Sequence, residues 1–273
     1  ANVHFVVLDS HQNSRAANGP MLTWMKQDLQ ATNQEWIIAM WHHPPYTKGS
    51  HNSDTEGALI EMRQNALPIL EAAGVDLVLA GHSHIYERSY LVDGAYNTPT
   101  TAAGKLVDSG SGKVLGDGPY VKKAGLNAHD GAVYIVAGHG GTGVSGAGNH
   151  PLMYFSEVAH GSVLIDVQEN RLGVTNVRKD GVLSDRMSLV RGTGLVIGTP
   201  DGSEKLAAAT VEPIQWATVG SIANVKLEYS PDDGKSWLVI AASVANTGKY
   251  DWTVPAVDSN TVLIRVSDVA NAK

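Results

Sequence analysis

No cysteine occurs in the 273 residues of this chain. That excludes disulfides and thiolate metal sites, so any metal ion held here must rest on nitrogen and oxygen ligands. Lack of cysteine does not by itself exclude export. A basic excess is also missing: the net charge is −7, which argues against nucleic acid as the main partner. No apolar run is long enough to span a membrane. Finally, the chain does not open on methionine. It begins at Ala1 and passes directly into Val3-His4-Phe5-Val6-Val7-Leu8, which reads as a buried strand. The expectation is a fragment that enters its domain midway, with no signal peptide in view. The length suggests about two domains and ample material for a core.

What the chain does have is two histidine clusters, His42-His43-Pro44-Pro45-Tyr46 and Gly81-His82-Ser83-His84. Each follows a hydrophobic strand-like run, Trp36 to Trp41 and Val75 to Ala80. One helical stretch lies between them. A strand–loop–helix–strand–loop order puts both loops at one edge of a parallel sheet, where ligands usually bind. Neutral imidazole is the commonest protein metal ligand, so a metal site is the natural reading. In an extended segment, residues two apart point the same way, so His82 and His84 are expected to face one metal centre together.

The rest of the chain arranges itself around these loops. Pro20 to Leu29 reads as an amphipathic helix with Met21, Leu22, Trp24, Met25 and Leu29 on its apolar face. A second helix is expected from about Glu56 to Ala73, stopped by Gly74 and kinked or broken by Pro68. Residues 93–130 show little periodicity and read as a surface excursion or a lid. Ala132 to Ala137 is a buried strand. The glycine-rich segment Gly138 to Gly143 lacks the Lys-Ser/Thr of a phosphate loop and reads as a tight turn. His139 reads as structural, and Ser162–Val167 with Leu172–Val177 as a hairpin turning at Glu169-Asn170. From about Gly192 every element is a short strand. The expected division is a catalytic domain over 1–191, a linker over 192–202 and a small β-sandwich over 203–273. Within it, Ser230 to Trp237 resembles the Asp-box turn of sialidases, a structural motif.

Both histidine loops are similar to those of calcineurin-like metallophosphoesterases, and within them the purple acid phosphatase branch. That family carries a His-x-Pro loop and a Gly-His-x-His loop, continued in the purple branch as x-Tyr-Glu-Arg; here these are His42-His43-Pro44, Gly81 to His84 and Ile85-Tyr86-Glu87-Arg88. The resemblance covers about residues 1–190. It implies the later half of a metallophosphoesterase α/β sandwich, which the strand pattern of the tail follows with a small immunoglobulin- or fibronectin-like β-sandwich. It implies two metal ions, iron plus zinc, manganese or iron, with His42 and His82 on one and His84 on the other. His51 matches the histidine that meets the substrate phosphate and protonates the leaving group. His43 falls where the family has no ligand and reads as a packing residue beside the site. Asn52 stands where the family often has a second histidine.

The resemblance also defines a gap. The family's earlier motifs supply two aspartates, a tyrosine and an Asn-His pair, and nothing before His42 fills those places. Gly148-Asn149-His150 has the right letters but comes after both loops, so it reads as a loop element. The function implied is phosphomonoester hydrolysis on small-molecule substrates, with this chain carrying half the site. The alternatives are a phosphodiesterase or cyclic-nucleotide branch, or a degenerate extracellular binding module. The resemblance places the protein as secreted, cell-surface or periplasmic, and the β-rich tail supports contact with the cell surface or glycans.

Overall fold

A computed structural model describes residues 2–271. Strand β1 (Val3–Val7) leads to helix α1 (Pro20–Ala31), then strand β2 (Trp36–Trp41). Helix α1 starts on Pro20, whose missing N–H costs nothing in a first turn. It buries Leu22, Met25 and Leu29, but Trp24, expected on the apolar face, is half exposed.

The next helical stretch is three pieces: α2 (Gly57–Glu61), a π-helical turn (Met62–Ala66) and α3 (Leu67–Ala72). Pro68 explains the break. It cannot donate to the preceding turn and its ring crowds the carbonyl four residues back, so the wider turn precedes it. Gly74, at φ +83°, ends the helix as the sequence predicts. Strands β3 (Leu77–Ala80), β4 (Tyr86–Ser89) and β5 (Leu91–Val92) follow.

The long excursion contains β6 (Leu106–Asp108), a partner of β5, and β7 (Tyr120–Lys122). Then come β8 (Val133–Ala137), β9 (Met153–Glu157), β10 (Gly161–Gln168), β11 (Arg171–Arg178) and β12 (Leu183–Arg191). The hairpin of β10 and β11 turns at Glu169-Asn170, as expected.

Two sheets and the helices form a mixed α/β stack. The first sheet has the order β1-β2-β3-β8-β4-β9, parallel from β1 to β8 and antiparallel beyond. The second has the order β10-β11-β12-β7. Alternation along β2 sorts its side chains. Ile37, Ala39 and Trp41 meet Leu22, Met25, Leu67 and Leu70 of the helices, while Trp36 and Ile38 meet Leu172, Val174, Met187 and Leu189 of the second sheet.

Buried ion pairs join the layers. Arg88 grips Asp185 through Nε and Nη2 at 2.6 and 2.9 Å, and the Tyr86 hydroxyl donates to the same carboxylate at 2.9 Å. Near the strand starts, Lys122 and Arg191 both pair with Asp76 Oδ1, at 2.7 and 2.5 Å.

Past Arg191, residues read as linker include a strand, β13 (Gly194–Thr199). It pairs with β14 (Val211–Val219), which the sequence pattern did not reveal because Pro213 and two polar residues interrupt it. Strands β15 (Asn224–Ser230), β16 (Leu238–Ala245), β17 (Lys249–Thr253) and β18 (Leu263–Asp268) complete two three-stranded antiparallel sheets, β13-β14-β17 and β16-β15-β18. They share a core of their own built on Ile214, Trp216, Val225, Leu227 and Trp252. The Asp232 carboxylate binds Ser236 N–H and Oγ within its own turn, the structural role expected of that motif.

One buried carboxylate has a measurable consequence. Glu71, at the end of α3, accepts hydrogen bonds from the Tyr134 and Tyr96 hydroxyls and from Gly94 N–H. Burial nevertheless pushes its pKa from the ordinary 4.5 up to about 7. The folded chain therefore keeps a proton that the unfolded chain releases above pH 4.5. This contribution to stability, on the order of 3 kcal/mol, is complete below about pH 4.5 and is lost as pH rises through 7. In chelator, the urea midpoint of the parent chain should fall between pH 5 and 8 relative to that of Glu71→Gln. Parallel midpoint profiles for the two proteins would contradict this.

Candidate metal centre

Strands β2 and β3 lie side by side and parallel, with Trp41 opposite Ala80. Their ends therefore emerge together, and Gly81 N–H donates to the His42 carbonyl at 3.0 Å. This is the convergence expected from the element order. His42 Nε2 and His82 Nδ1 stand 3.1 Å apart. The rings of His43 and His82 lie 4.9 Å apart, and those of His42 and His43 5.0 Å. One nitrogen from each of His42, His43 and His82 can be chosen so that all three lie within 4.8 Å of one another.

A second set overlaps the first. Glu56, just before α2, accepts from His51 Nδ1 at 3.0 Å and lies 3.3 Å from His82 Nε2. The His51 and His82 rings stack at 3.8 Å. His51, Glu56 and His82 again bring three donor atoms within 4.8 Å. Glu56 has no regular spacing to either loop, which is why sequence reasoning missed it. The signal available was a carboxylate five residues after His51, at a helix start.

His84 is placed differently from the expectation. The loop is not extended: His82 has φ +62°, and tight bonds run from Ser83 N–H to the Gly81 carbonyl (2.7 Å) and from Ile85 N–H to the Ser83 carbonyl (2.8 Å). The extended geometry behind that expectation is therefore absent, and His84 stands outside both donor sets. Its backbone is fastened instead, N–H to Ser50 Oγ at 2.8 Å and carbonyl to Ser145 N–H at 3.0 Å. His43 is buried, with Nδ1 3.0 Å from Ser10 Oγ. It packs as expected but also faces His42 and His82, a position the sequence did not suggest.

A buried polar clamp sets the distance between the loops. Glu87, fully buried on β4, accepts from the Thr47 hydroxyl and from Lys48 N–H, and Thr47 Oγ1 lies 2.9 Å from Ser83 Oγ. Burial raises the pKa of Glu87, with the Thr47 and Lys48 bonds opposing it. Gly138, at the end of β8, lies so close that a Cβ there would sit 2.0 Å from the Ser83 carbonyl oxygen. The glycine run thus serves close approach, in keeping with its reading as a turn. His139 is buried against Tyr86 and bonded to Asn176, a structural position. His150 is likewise buried and packs on Tyr46, away from the donor sets.

A groove of about 430 Å³ borders the centre, lined by Lys48, Ser50, His51, Asn52, Glu56 and Asn149. Larger hollows of about 680 and 800 Å³ border the C-terminal sheets but gather no histidine.

The electrostatics favour neutral imidazoles. Burial lowers the pKa of His42, assisted by the nearby His82. Burial, then His82 and His42, takes His43 down to about 4. Burial also lowers His82, against the opposing bond from Glu56. Metal binding requires the unprotonated form. The donor set therefore fits one ion of the kind that imidazole suits, such as zinc or iron. Among the described residues, Glu56 is the one carboxylate that joins these sets.

Residues 3–86 match the calcineurin-like phosphoesterase family. The chain is similar to purple acid phosphatases. It is 32% identical over 103 residues to purple acid phosphatase 18 of Arabidopsis thaliana, covering 36% of this chain and 22% of that protein. Purple acid phosphatase 23 of the same plant is 30% identical over 132 residues, covering 47% and 26%. The purple acid phosphatase of Glycine max is 34% identical over 101 residues, covering 36% and 21%. The chain thus spans about a fifth to a quarter of the length of these curated relatives. A purple acid phosphatase from yellow lupin (Lupinus luteus) seeds superposes with a TM-score of 0.56 at 16% identity, covering 69% of this chain and 31% of that one. That likeness shows a shared fold. No described helix is long and apolar enough to cross a membrane.

Because burial already keeps the three imidazoles neutral, metal affinity should resist mild acid. Three ordinary imidazoles with pKa near 6.5 would lose roughly a thousandfold in affinity between pH 7.5 and 5.5. Here, with His43 contributing almost nothing and the other two rings each less than about tenfold, a loss of less than about a hundredfold is expected, read by zinc titration at the two pH values. A thousandfold loss would show that the rings titrate as free histidines do.

Proposed function

We propose that this chain is the histidine-bearing part of a metal-dependent phosphoester hydrolase that acts on phosphomonoesters. The observation that carries the reading is the convergence of neutral His42, His43 and His82 beside His51, which Glu56 holds in place. Metal ions bound there would polarise phosphoryl oxygens and lower the pKa of water.

The chain's own residues supply the rest. His42, His43 and His82 hold the ion. Glu56 accepts from His51 Nδ1, which fixes the ring and leaves Nε2 to deliver a proton to the departing alkoxide. Asn52 can donate a hydrogen bond to a phosphate oxygen but cannot protonate a leaving group. Lys48, Ser50 and Asn149 make the adjoining groove polar, which suits a hydrophilic alcohol.

By resemblance to the purple acid phosphatases, the intact centre holds two ions, iron with zinc, manganese or iron, and His84 serves the second. The carboxylates that such a pair requires are not gathered by these residues. The 273-residue chain alone is therefore expected to hydrolyse p-nitrophenyl phosphate at well below about 1 per second while still binding metal. The same resemblance supports a secreted or cell-surface enzyme with a small phosphoester substrate. The C-terminal sheets, read as an immunoglobulin- or fibronectin-like accessory domain, have no part in the chemistry.

The roles separate by substitution. His51→Ala should retain metal while weakening the binding of inorganic phosphate to the metal-loaded chain by about tenfold, roughly 1.4 kcal/mol. His82→Gly, which keeps a residue tolerant of the positive φ, should lose the metal itself. Metal analysis after dialysis and phosphate titration read the two effects. A His51→Ala protein as depleted of metal as His82→Gly would make His51 a ligand and sink the assignment. Turnover by the chain alone at 1 per second or faster would show that the centre is complete as it stands.

A further inference from the structure

A second constellation lies at the other end of the parallel strands. Glu71 closes α3, Asp93 follows β5, and His129 precedes β8 by four residues. None belongs to the histidine sets. Donor atoms of the three lie within 4.8 Å of one another, and His129 Nδ1 stands 3.1 Å from Asp93 Oδ1. Backbone bonds hold the segments in register: His129 N–H donates to the Glu71 carbonyl at 2.9 Å, and Gly94 N–H to Glu71 Oε2 at 2.8 Å.

The donor set is mixed, two carboxylates and an imidazole, and its charge is unbalanced. Glu71 is 2% exposed, yet among the described residues no lysine or arginine lies within 4 Å of it or of Asp93. A buried carboxylate without a cation is costly. Its orientation is nonetheless fixed by the Tyr134 hydroxyl on Oε1 (2.5 Å) and by the Tyr96 hydroxyl and Gly94 N–H on Oε2. Outer donors of this kind are what orient a metal-ligating carboxylate. Oε1 keeps a lone pair free. With Glu71 ionised and His129 neutral the cluster would carry two negative charges, the complement of a divalent cation that displaces the Glu71 proton.

We infer that Glu71, Asp93 and His129 form a divalent-cation site, of the nitrogen–oxygen type that zinc or manganese takes, which ties the 93–130 excursion to helix α3. Its place is structural. It shares no residue with the proposed catalytic centre and does not depend on the phosphoesterase reading.

The test uses zinc alone on the full 273-residue chain in a His82→Gly background, since His82 belongs to both histidine sets. Folding of each variant is checked by circular dichroism. Calorimetric titration of the His82→Gly chain should show one zinc per chain at about micromolar Kd or tighter, with a rise in Tm on zinc addition. Adding His129→Gly, at an exposed position whose φ of +56° glycine accepts, should weaken binding at least tenfold and abolish the Tm rise. Asp93→Asn should weaken it as well. Absence of zinc binding in the folded His82→Gly chain would overturn the proposal. So would an affinity and Tm rise indifferent to both further substitutions.

Discussion

The hydrogen bond from Gly81 N–H to the His42 carbonyl is the constraint on which the metal centre depends. It is the last rung of the parallel β2–β3 ladder, continued one step beyond the regular strands. Parallel pairing demands a crossover, and the helical segment between Gly57 and Ala72 supplies it, so both strands end at the same edge. Once that rung is made, the first residue of each histidine loop starts from a fixed point. Nothing longer than a few residues of loop is then needed to bring His42 and His82 to 3.1 Å.

Short loops carrying polar groups must be fastened, and here the fastening is buried. The Tyr86-Glu87-Arg88 segment divides the work by strand alternation. Tyr86 and Arg88 point to Asp185 and lock the second sheet, while Glu87 points the other way and collects Thr47, Lys48 and, through Thr47, Ser83. Three consecutive residues thus tie both sheets and both loops together. Losing one partner of such a buried pair strands the other without water, a cost of several kcal/mol. That makes the segment a structural signature as much as a family mark.

Most of the strand and helix order was legible because hydrophobic periodicity is local. Trp36 to Trp41 and Leu77 to Ala80 are apolar on both faces, as central parallel strands must be. The site was legible in part for the same reason: strand ends can be read, so His42 and His82 could be paired. Four features escaped, each through a non-local cause. His84 falls outside both donor sets, in a loop that tightens at His82 rather than extending. Glu56 joined through the geometry of a helix start. The His43 ring was drawn in by Ser10, thirty-three residues earlier. Strand β14 lacks alternation around Pro213, and its assignment depends on pairing with β13 and β17. Pattern reading sees faces of elements; it does not see which turn a loop takes or which distant hydroxyl caps it.

Burial acts on the two ligand-bearing clusters in opposite directions to one end. Around His42, His43 and His82 it disfavours the protonated ring, so each base stays neutral to lower pH than a free histidine, His43 furthest. At Glu71 it disfavours the carboxylate, so an acid keeps its proton well above its usual range. In both places the protein removes charge by excluding water rather than by supplying a counter-ion of its own. The consequences for a cation differ. The imidazoles have less proton to displace than ordinary histidines, so their affinity falls less steeply in acid. Glu71 must first release its proton, so any cation there competes with acid and binds more tightly as pH rises through 7. One physical cause, desolvation, therefore makes the histidine cluster less sensitive to acid and would make cation binding at Glu71 more sensitive to it.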